Sequence, residues 1–292
     1  MKALGIDLGG TQIKFGVVES GEILHECSID TCVKAGYKAV IEQITAQSTE
    51  LLQIYPDIGN IGLGSPGIID ITEGIVRYSN NFGWRDVPIC HDIEQVLQRK
   101  VRIANDAQCA ALGEALYGAG RNTNRMAMFT IGTGVGGGFV KDGKLETDSY
   151  GSIAYIFGHS VISYKGEECN CERLGCLEAY ASAGAIERNG KKILNIASAR
   201  EIFEAARNKD IQAQKLVDEF LEYLSVGIVN IANILRPRII VIGGGVSGSG
   251  DLILPKINME LQKGVYGYTY APVQAVCAQM GNHAGIIGAA NL

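Results

Sequence analysis

Three sets of residues in this chain have types and spacings suited to chemistry. The first is a set of glycine-rich turns, Asp7-Leu8-Gly9-Gly10-Thr11, Gly132-Thr133-Gly134-Val135-Gly136 and Gly243-Gly244-Gly245, each following an apolar run. Backbone N–H groups in a tight turn bind phosphate well, and glycine lets the backbone come close. The first two turns also carry a Thr hydroxyl, and the Asp7 carboxylate suits Mg²⁺, directly or through water. No GxxxxGK[ST] phosphate loop is present. A Rossmann fingerprint does not fit either, because the acid precedes the glycines and a strand follows them. One such hairpin is most simply a structural turn. Three of them, each after a strand, point to a phosphate-bearing ligand.

The second set is Asn105-Asp106-Ala107, at the end of an apolar strand and the start of a helix. A carboxylate there can orient a hydroxyl and take its proton during phosphoryl transfer. Asp also favours the helix N-cap, and the two roles are compatible. The third set is His159, Cys169, Cys171 and Cys176, with steps of ten, two and five residues. One His and three Cys complete a tetrahedral set with no open position, which is the pattern of a structural Zn²⁺ site. A disulfide and unrelated core thiols are the alternatives. The odd number of clustered thiols and a reducing compartment disfavour the disulfide.

These residues need a scaffold. The 292 residues suit two modest domains or one large one. Residues 3–6, 12–18 and 22–25 read as a three-stranded meander with a glycine turn. Residues 36–54 read as a helix, 60–64 as a strand broken by Ser65-Pro66-Gly67, 101–104 as a strand, and 107–117 as a helix. The opening theme returns at 126–131, Gly132 to Gly138 and 139–144. Each half thus begins with strand, glycine turn, strand and turn, a weak sign of internal duplication. Two unrelated glycine hairpins would look the same. In the longest helix, about 212–235, Val217, Phe220, Leu221, Leu224, Ile228, Ile231 and Leu235 share one face, and Arg236-Pro237 ends it. Residues 238–242 are a buried strand, and 281–292 are helical in character. Strands alternating with helices predict an α/β protein of two similar domains, 1–117 and 118–292.

Composition narrows the function classes. A hydrophobic share of 47% and a charged share of 20% are ordinary for a globular chain. A net charge of -5 argues against nucleic acid as a partner. No basic run, signal peptide or membrane-length apolar stretch is present, so the expectation is a cytoplasmic protein without a membrane partner. The remaining cysteines, Cys27, Cys32, Cys90, Cys109 and Cys277, are scattered and read as small core residues.

Asp7-x-Gly9-Gly10-Thr11 with Lys14, the Gly132–Gly138 run, Asn105-Asp106-Ala107 and Ile242-Gly243-Gly244-Gly245, in this order, resemble the ROK family. That family groups bacterial sugar kinases with sugar-responsive repressors on the two-domain actin-like ATPase (ribonuclease H-like) fold, with a cleft between the domains. The resemblance extends to Gly281-Asn282-x-Ala284-Gly285. It implies that Asp7, Gly9, Gly10, Thr11 and Lys14, with Gly132, Thr133, Gly134 and Gly136, bracket the phosphates of MgATP. Gly243, Gly244 and Gly245 then help to hold the adenosine, and Asp106 is the general base.

By the same resemblance the Cys-x-Cys spacing is that of the family's zinc loop, here 159–178. His159 and Glu178 also serve the sugar, together with Ser65, Gly67, Asn80 and Asn105. The N-terminal domain carries sugar and phosphate sites, the C-terminal one the zinc loop and nucleotide site, and the last helix is free to pack back on the N-terminal domain. The resemblance also allows a homodimer. Family repressors carry an N-terminal helix-turn-helix, and with Asp7 at the very start the expectation is a chain without one. Two positions depart from the family pattern. Family kinases usually carry Ala-Gly-Glu before the Gly-His of the zinc loop, and that Glu binds sugar hydroxyls near C1 and C2. Here the string is Ala154-Tyr155-Ile156. Glu172 stands where Gly often follows the second Cys, which alters only the loop turn. The expectation is phosphorylation of a hexose or hexose derivative at a primary hydroxyl, glucokinase-like by default. An N-acylmannosamine or β-glucoside kinase, or a sugar-binding regulator with little kinase activity, are the alternatives.

Overall fold

A computed structural model of the chain describes residues 1–148 and 155–292. It opens with β1 (Ala3–Leu8), β2 (Gln12–Glu19) and β3 (Glu22–Asp30), followed by α1 (Tyr37–Ile54). Next come β4 (Asn60–Ser65), β5 (Ile68–Asp70), β6 (Ile75–Ser79), β7 (Trp84–Val87) and α2 (Ile89–Leu97). Then follow β8 (Val101–Asn105), α3 (Asp106–Tyr117), β9 (Arg125–Ile131), β10 (Val135–Lys141) and β11 (Lys144–Leu145). Helices α4 (Leu177–Ala181), α5 (Ala183–Ile193), α6 (Ala199–Arg207) and α7 (Ile211–Leu235) lead to β12 (Ile239–Gly243). The chain finishes with α8 (Gly250–Gly264), β13 (Gln274–Cys277) and α9 (Ala284–Ala290).

Two five-stranded sheets have the same plan. The first has the order β3-β2-β1-β4-β8 and the second β11-β10-β9-β12-β13. In each, a meander supplies three neighbouring strands and later crossovers add two parallel ones. This matched order supports the internal duplication suggested by the two glycine hairpins. A third sheet, β5-β6-β7, has strands too short for periodicity to announce them.

Strand β1 is apolar on both faces because both are covered. Leu4, Ile6 and Leu8 join Val40, Ile41 and Ile44 of α1 and Ile89 and Ile93 of α2 in one core. On the other face Ala3 packs with Ile286 and Ile287 of α9. The small residues of α9 have a steric cause. A Cβ at Gly288 would overlap the Cys109 carbonyl, and one at Gly62 of β4 would overlap the Ala289 carbonyl. Helix α9 therefore lies directly on α3 and β4.

The chain divides into two compact units, one of residues 1–121, 138–155 and 280–292, the other of 122–137 and 156–279. The single boundary expected after Tyr117 differs from this division. Residues 138–155 group with the first unit, where Leu145 packs with Ala104, Cys109 and Ala289. The last helix does so too, through the contacts just described. In the second unit α7 is capped by Asp210, whose Oδ1 accepts the N–H groups of Gln212 and Ala213 at 2.9 Å. Its predicted face is buried from Val217 to Ile231, with Leu235 half-buried. No helix among the described residues is long and apolar enough to cross a membrane.

Candidate active site

In the first unit the polar residues gather where β4 and β8 end. Ser65 and Asn105 are neighbours across these two strands, and Ser65 is fully buried. Asn105 is the N-cap of α3. Its Oδ1 accepts the Ala107 N–H at 2.9 Å, and the Gln108 side chain returns to the Asn105 N–H at 3.2 Å. The cap that Asp106 was a candidate for thus belongs to Asn105, a capping box legible as Asn-x-x-Gln. Asp106 is the first residue of α3, and its Oδ1 accepts the Ala107 N–H at 2.8 Å. Burial pushes its carboxyl above the usual range. The Asn105 amide donates to the Gly67 carbonyl at 3.1 Å. Gly67 has φ of 121°, and a Cβ there would overlap the Tyr78 carbonyl, so only glycine fits beside β6. Asn80 lies exposed at the end of β6, its Oδ1 accepting from the Tyr78 hydroxyl at 3.4 Å.

Asp7 faces this group from β1. Burial pushes its carboxyl up to about 6, helped by the charge of Asp106 and opposed by Lys14, its neighbour across β1 and β2. The thiol of Cys109 is wholly buried near both acids and is held in its protonated form by burial and by their charges. Its place beside the acids was not legible in a lone cysteine of α3. The turn after Asp7 leaves Gly10 and Thr11 exposed. It is closed by Gly9 N–H to the Gln12 carbonyl at 3.0 Å and braced by the Thr31 hydroxyl on the Gly9 carbonyl at 2.8 Å.

In the second unit the turn after β9 is closed by the Gly132 N–H donating to the Gly134 carbonyl at 3.0 Å, with Thr133 exposed. The third turn is adjacent, since Gly243 of β12 pairs with Thr130 of β9. His159, Cys169, Cys171 and Cys176 place their ligand atoms within 4.8 Å of one another. The Cys171 and Cys176 sulfurs are 3.6 Å apart, as are the Cys169 sulfur and His159 Nδ1. That spacing is far too long for a disulfide. Bonds of about 2.3 Å to a tetrahedral ion would put two sulfurs roughly 3.8 Å apart, so the donor set fits such an ion. Glu178 stands two residues beyond Cys176, with its Oε2 accepting the Val135 N–H at 2.9 Å and its Oε1 3.9 Å from the Cys169 sulfur. This tie between the cysteine–histidine loop and the glycine turn spans 43 residues and has no local signal. Ile156 is about half exposed, at 48%. Ala154, the first residue of the departing string, lies outside the described residues.

Comparison with known proteins gives this arrangement a family. The ROK family model matches residues 3–292. The chain is 35% identical to a glucokinase of Thermotoga maritima, covering 100% of this chain and 97% of that one. It is 32% identical to an N-acetylmannosamine kinase of Vibrio cholerae, covering 90% of each. Among solved structures, a ROK family glucokinase of Streptomyces griseus in complex with glucose and AMPPNP superposes with a TM-score of 0.83 at 30% identity, over 100% of this chain and 98% of that one. The fold is thus the actin-like ATPase fold that the motifs implied. With its motifs in order from Asp7 to Gly285 and a full-length match, the chain belongs to the ROK family.

Proposed function

We propose that this protein is an ATP-dependent sugar kinase that phosphorylates a primary hydroxyl of a hexose or hexose derivative. One observation carries the reading. Asp106 stands at the carboxyl end of β8, just after the N-cap Asn105 with which it shares the Ala107 N–H, and Asp7 is near enough to be shifted by its charge. A sugar hydroxyl is a weak nucleophile. Asp106 orients it and takes its proton as the phosphoryl group transfers. A carboxyl raised by burial is a better base than an ordinary one. The turns at Gly9–Thr11 and Gly132–Gly136 each offer backbone N–H groups to phosphate oxygens. Asp7 would hold Mg²⁺, which neutralises phosphate charge. His159, Cys169, Cys171 and Cys176 would hold Zn²⁺, whose part is to order the loop. The relatives named as glucokinases and as an N-acetylmannosamine kinase support the class of reaction.

A second reading concerns the sugar. Three residues before His159, where family kinases carry Glu, stands Ile156, an exposed apolar side chain. It cannot accept from a hydroxyl near C1 or C2, and a hydroxyl facing it would go unpaired. An acyl methyl or an aglycone suits that surface better. The neighbouring Phe157 is committed to the core, its ring 4.9 Å from that of Phe129.

A coupled assay on glucose, N-acetylmannosamine and a β-glucoside tests both readings. The expected result is ATP-dependent phosphorylation with a higher kcat/KM on a substituted hexose, and Ile156→Glu moving the preference several-fold toward glucose. No phosphorylation of any sugar would count against the kinase. A parent that prefers glucose to both substituted sugars would count against the role of Ile156 alone.

A further inference from the structure

We propose that Glu178 is a positioning residue for the phosphate-binding turn at Gly132–Gly136, pinning that turn to the cysteine–histidine loop. The proposal rests on the kinase reading above, because it assumes that this turn holds nucleotide phosphate. The Val135 N–H donates to Glu178 Oε2 at 2.9 Å, and the other oxygen is 3.9 Å from the Cys169 sulfur. The backbone of Glu178 is itself anchored, its N–H donating to the Gly158 carbonyl at 2.9 Å. Both surfaces are in close contact. A Cβ at Gly134 would overlap the Glu178 carboxylate, and one at Gly158 would overlap the Val135 carbonyl. From the other side the Ala183 N–H, at the start of α5, donates to the Gly132 carbonyl at 2.8 Å.

These contacts have a common effect. A turn of glycines is flexible when free, and ordering it at the moment of binding costs affinity. A charge-assisted hydrogen bond from the Val135 N–H to the carboxylate orders the turn beforehand. Glu178 in turn is placed by Cys176, because α4 begins at Leu177 directly after that ligand. The loop that carries the metal ligands therefore sets where the carboxylate stands, and the carboxylate sets the turn. A carboxylate oxygen accepts two hydrogen bonds, so Glu178 keeps capacity for a sugar hydroxyl as well. The positioning role is additional to that one.

The test is the dissociation constant for MgADP without sugar, by calorimetry on the full chain, with bound zinc per chain measured in every sample. Glu178→Ala should weaken MgADP about tenfold, the order expected for one hydrogen bond to a charged group. Glu178→Asp, one methylene too short to reach the Val135 N–H, should weaken it by a similar factor. Glu178→Gln keeps an acceptor and should stay within about threefold of the parent. Zinc content should match the parent in all three. Ala and Asp variants that bind within twofold of the parent overturn the proposal, whatever happens to the KM for sugar. So does a Gln variant as weak as Ala, or a loss confined to samples that have lost their metal. A parent that does not bind MgADP at all would instead count against the kinase reading.

Discussion

Asp106 and the cysteine–histidine loop are held in place by different means. Asp106 sits where a strand of a five-stranded sheet becomes a helix, with Ser65, Gly67 and Asn105 arranged around it by strand register and a capping box. The loop from Ile156 to Cys176 has only two isolated bridges among its described residues, Val161 with Cys176 and Glu168 with Leu174. Ile156, Val161, Tyr164 and Leu174 are exposed, and few apolar side chains besides Phe157 turn inward. Hydrophobic burial holds the first region. It has little to act on in the second, where on the reading proposed above an ion held by four donor atoms would supply what burial does not. The two regions should therefore respond to different insults. Changing a carboxylate should stop chemistry and leave the fold, while removing a metal ligand should loosen the fold itself.

The largest expected effect is on Asp106. Asp106→Asn should lower kcat by about 100- to 10,000-fold, the usual worth of a positioned base, while Tm stays within about 2 °C of the parent because Asn105 keeps the cap. A variant that turns over within a few-fold of the parent would make Asp106 a structural residue. A fall in Tm alongside kcat would erase the contrast with the loop.

Next comes the metal. Purified protein should contain about one zinc per chain, and Cys171→Ser should lose it and lower Tm by about 5–10 °C. Zinc-free protein with the activity and Tm of the parent would show that the loop needs no ion.

The smallest effect sharpens the comparison from the carboxylate side. Asp7 titrates near 6 in the folded protein and near 3.9 when unfolded. A folded pKa above the unfolded one means that the ionised carboxyl opposes folding. That cost, at most about 3 kcal/mol, is fully present above about pH 6, shrinks as pH falls from about 6 to about 4 and is gone below that. Nucleotide-free Asp7→Asn should therefore be more stable than the parent at pH 7.5 and equal to it near pH 4, while losing activity. Urea unfolding at the two pH values measures this. Equal stability at both would mean that Asp7 is not under strain.

Much of this was legible in local sequence. The meander, the helix over 37–54, the long α7 and the strand before Gly243 follow from periodicity and from stop signals such as Arg236-Pro237. Sheet β5-β6-β7 was not, because strands of three to five residues carry too few positions to show a period. The cap on α3 was legible as Asn105-x-x-Gln108 but is easily lost beside a more conspicuous Asp.

Local sequence carries whatever depends on neighbours along the chain: the glycine turns, the acid that opens α3, the cysteine–histidine spacing within one loop, and so the family. Which distant groups share a surface follows only from the folded arrangement. Helix α9 groups with the first unit because small residues let it lie against α3 and β4, and no stretch of sequence states that contact. The raised pKa of Asp7 comes first from burial and then from the charge of Asp106, which is 99 residues away, and the Val135 N–H finds its acceptor on Glu178, 43 residues on. Charge and hydrogen bonding act through distance in space, which the chain specifies only once its sheets have formed.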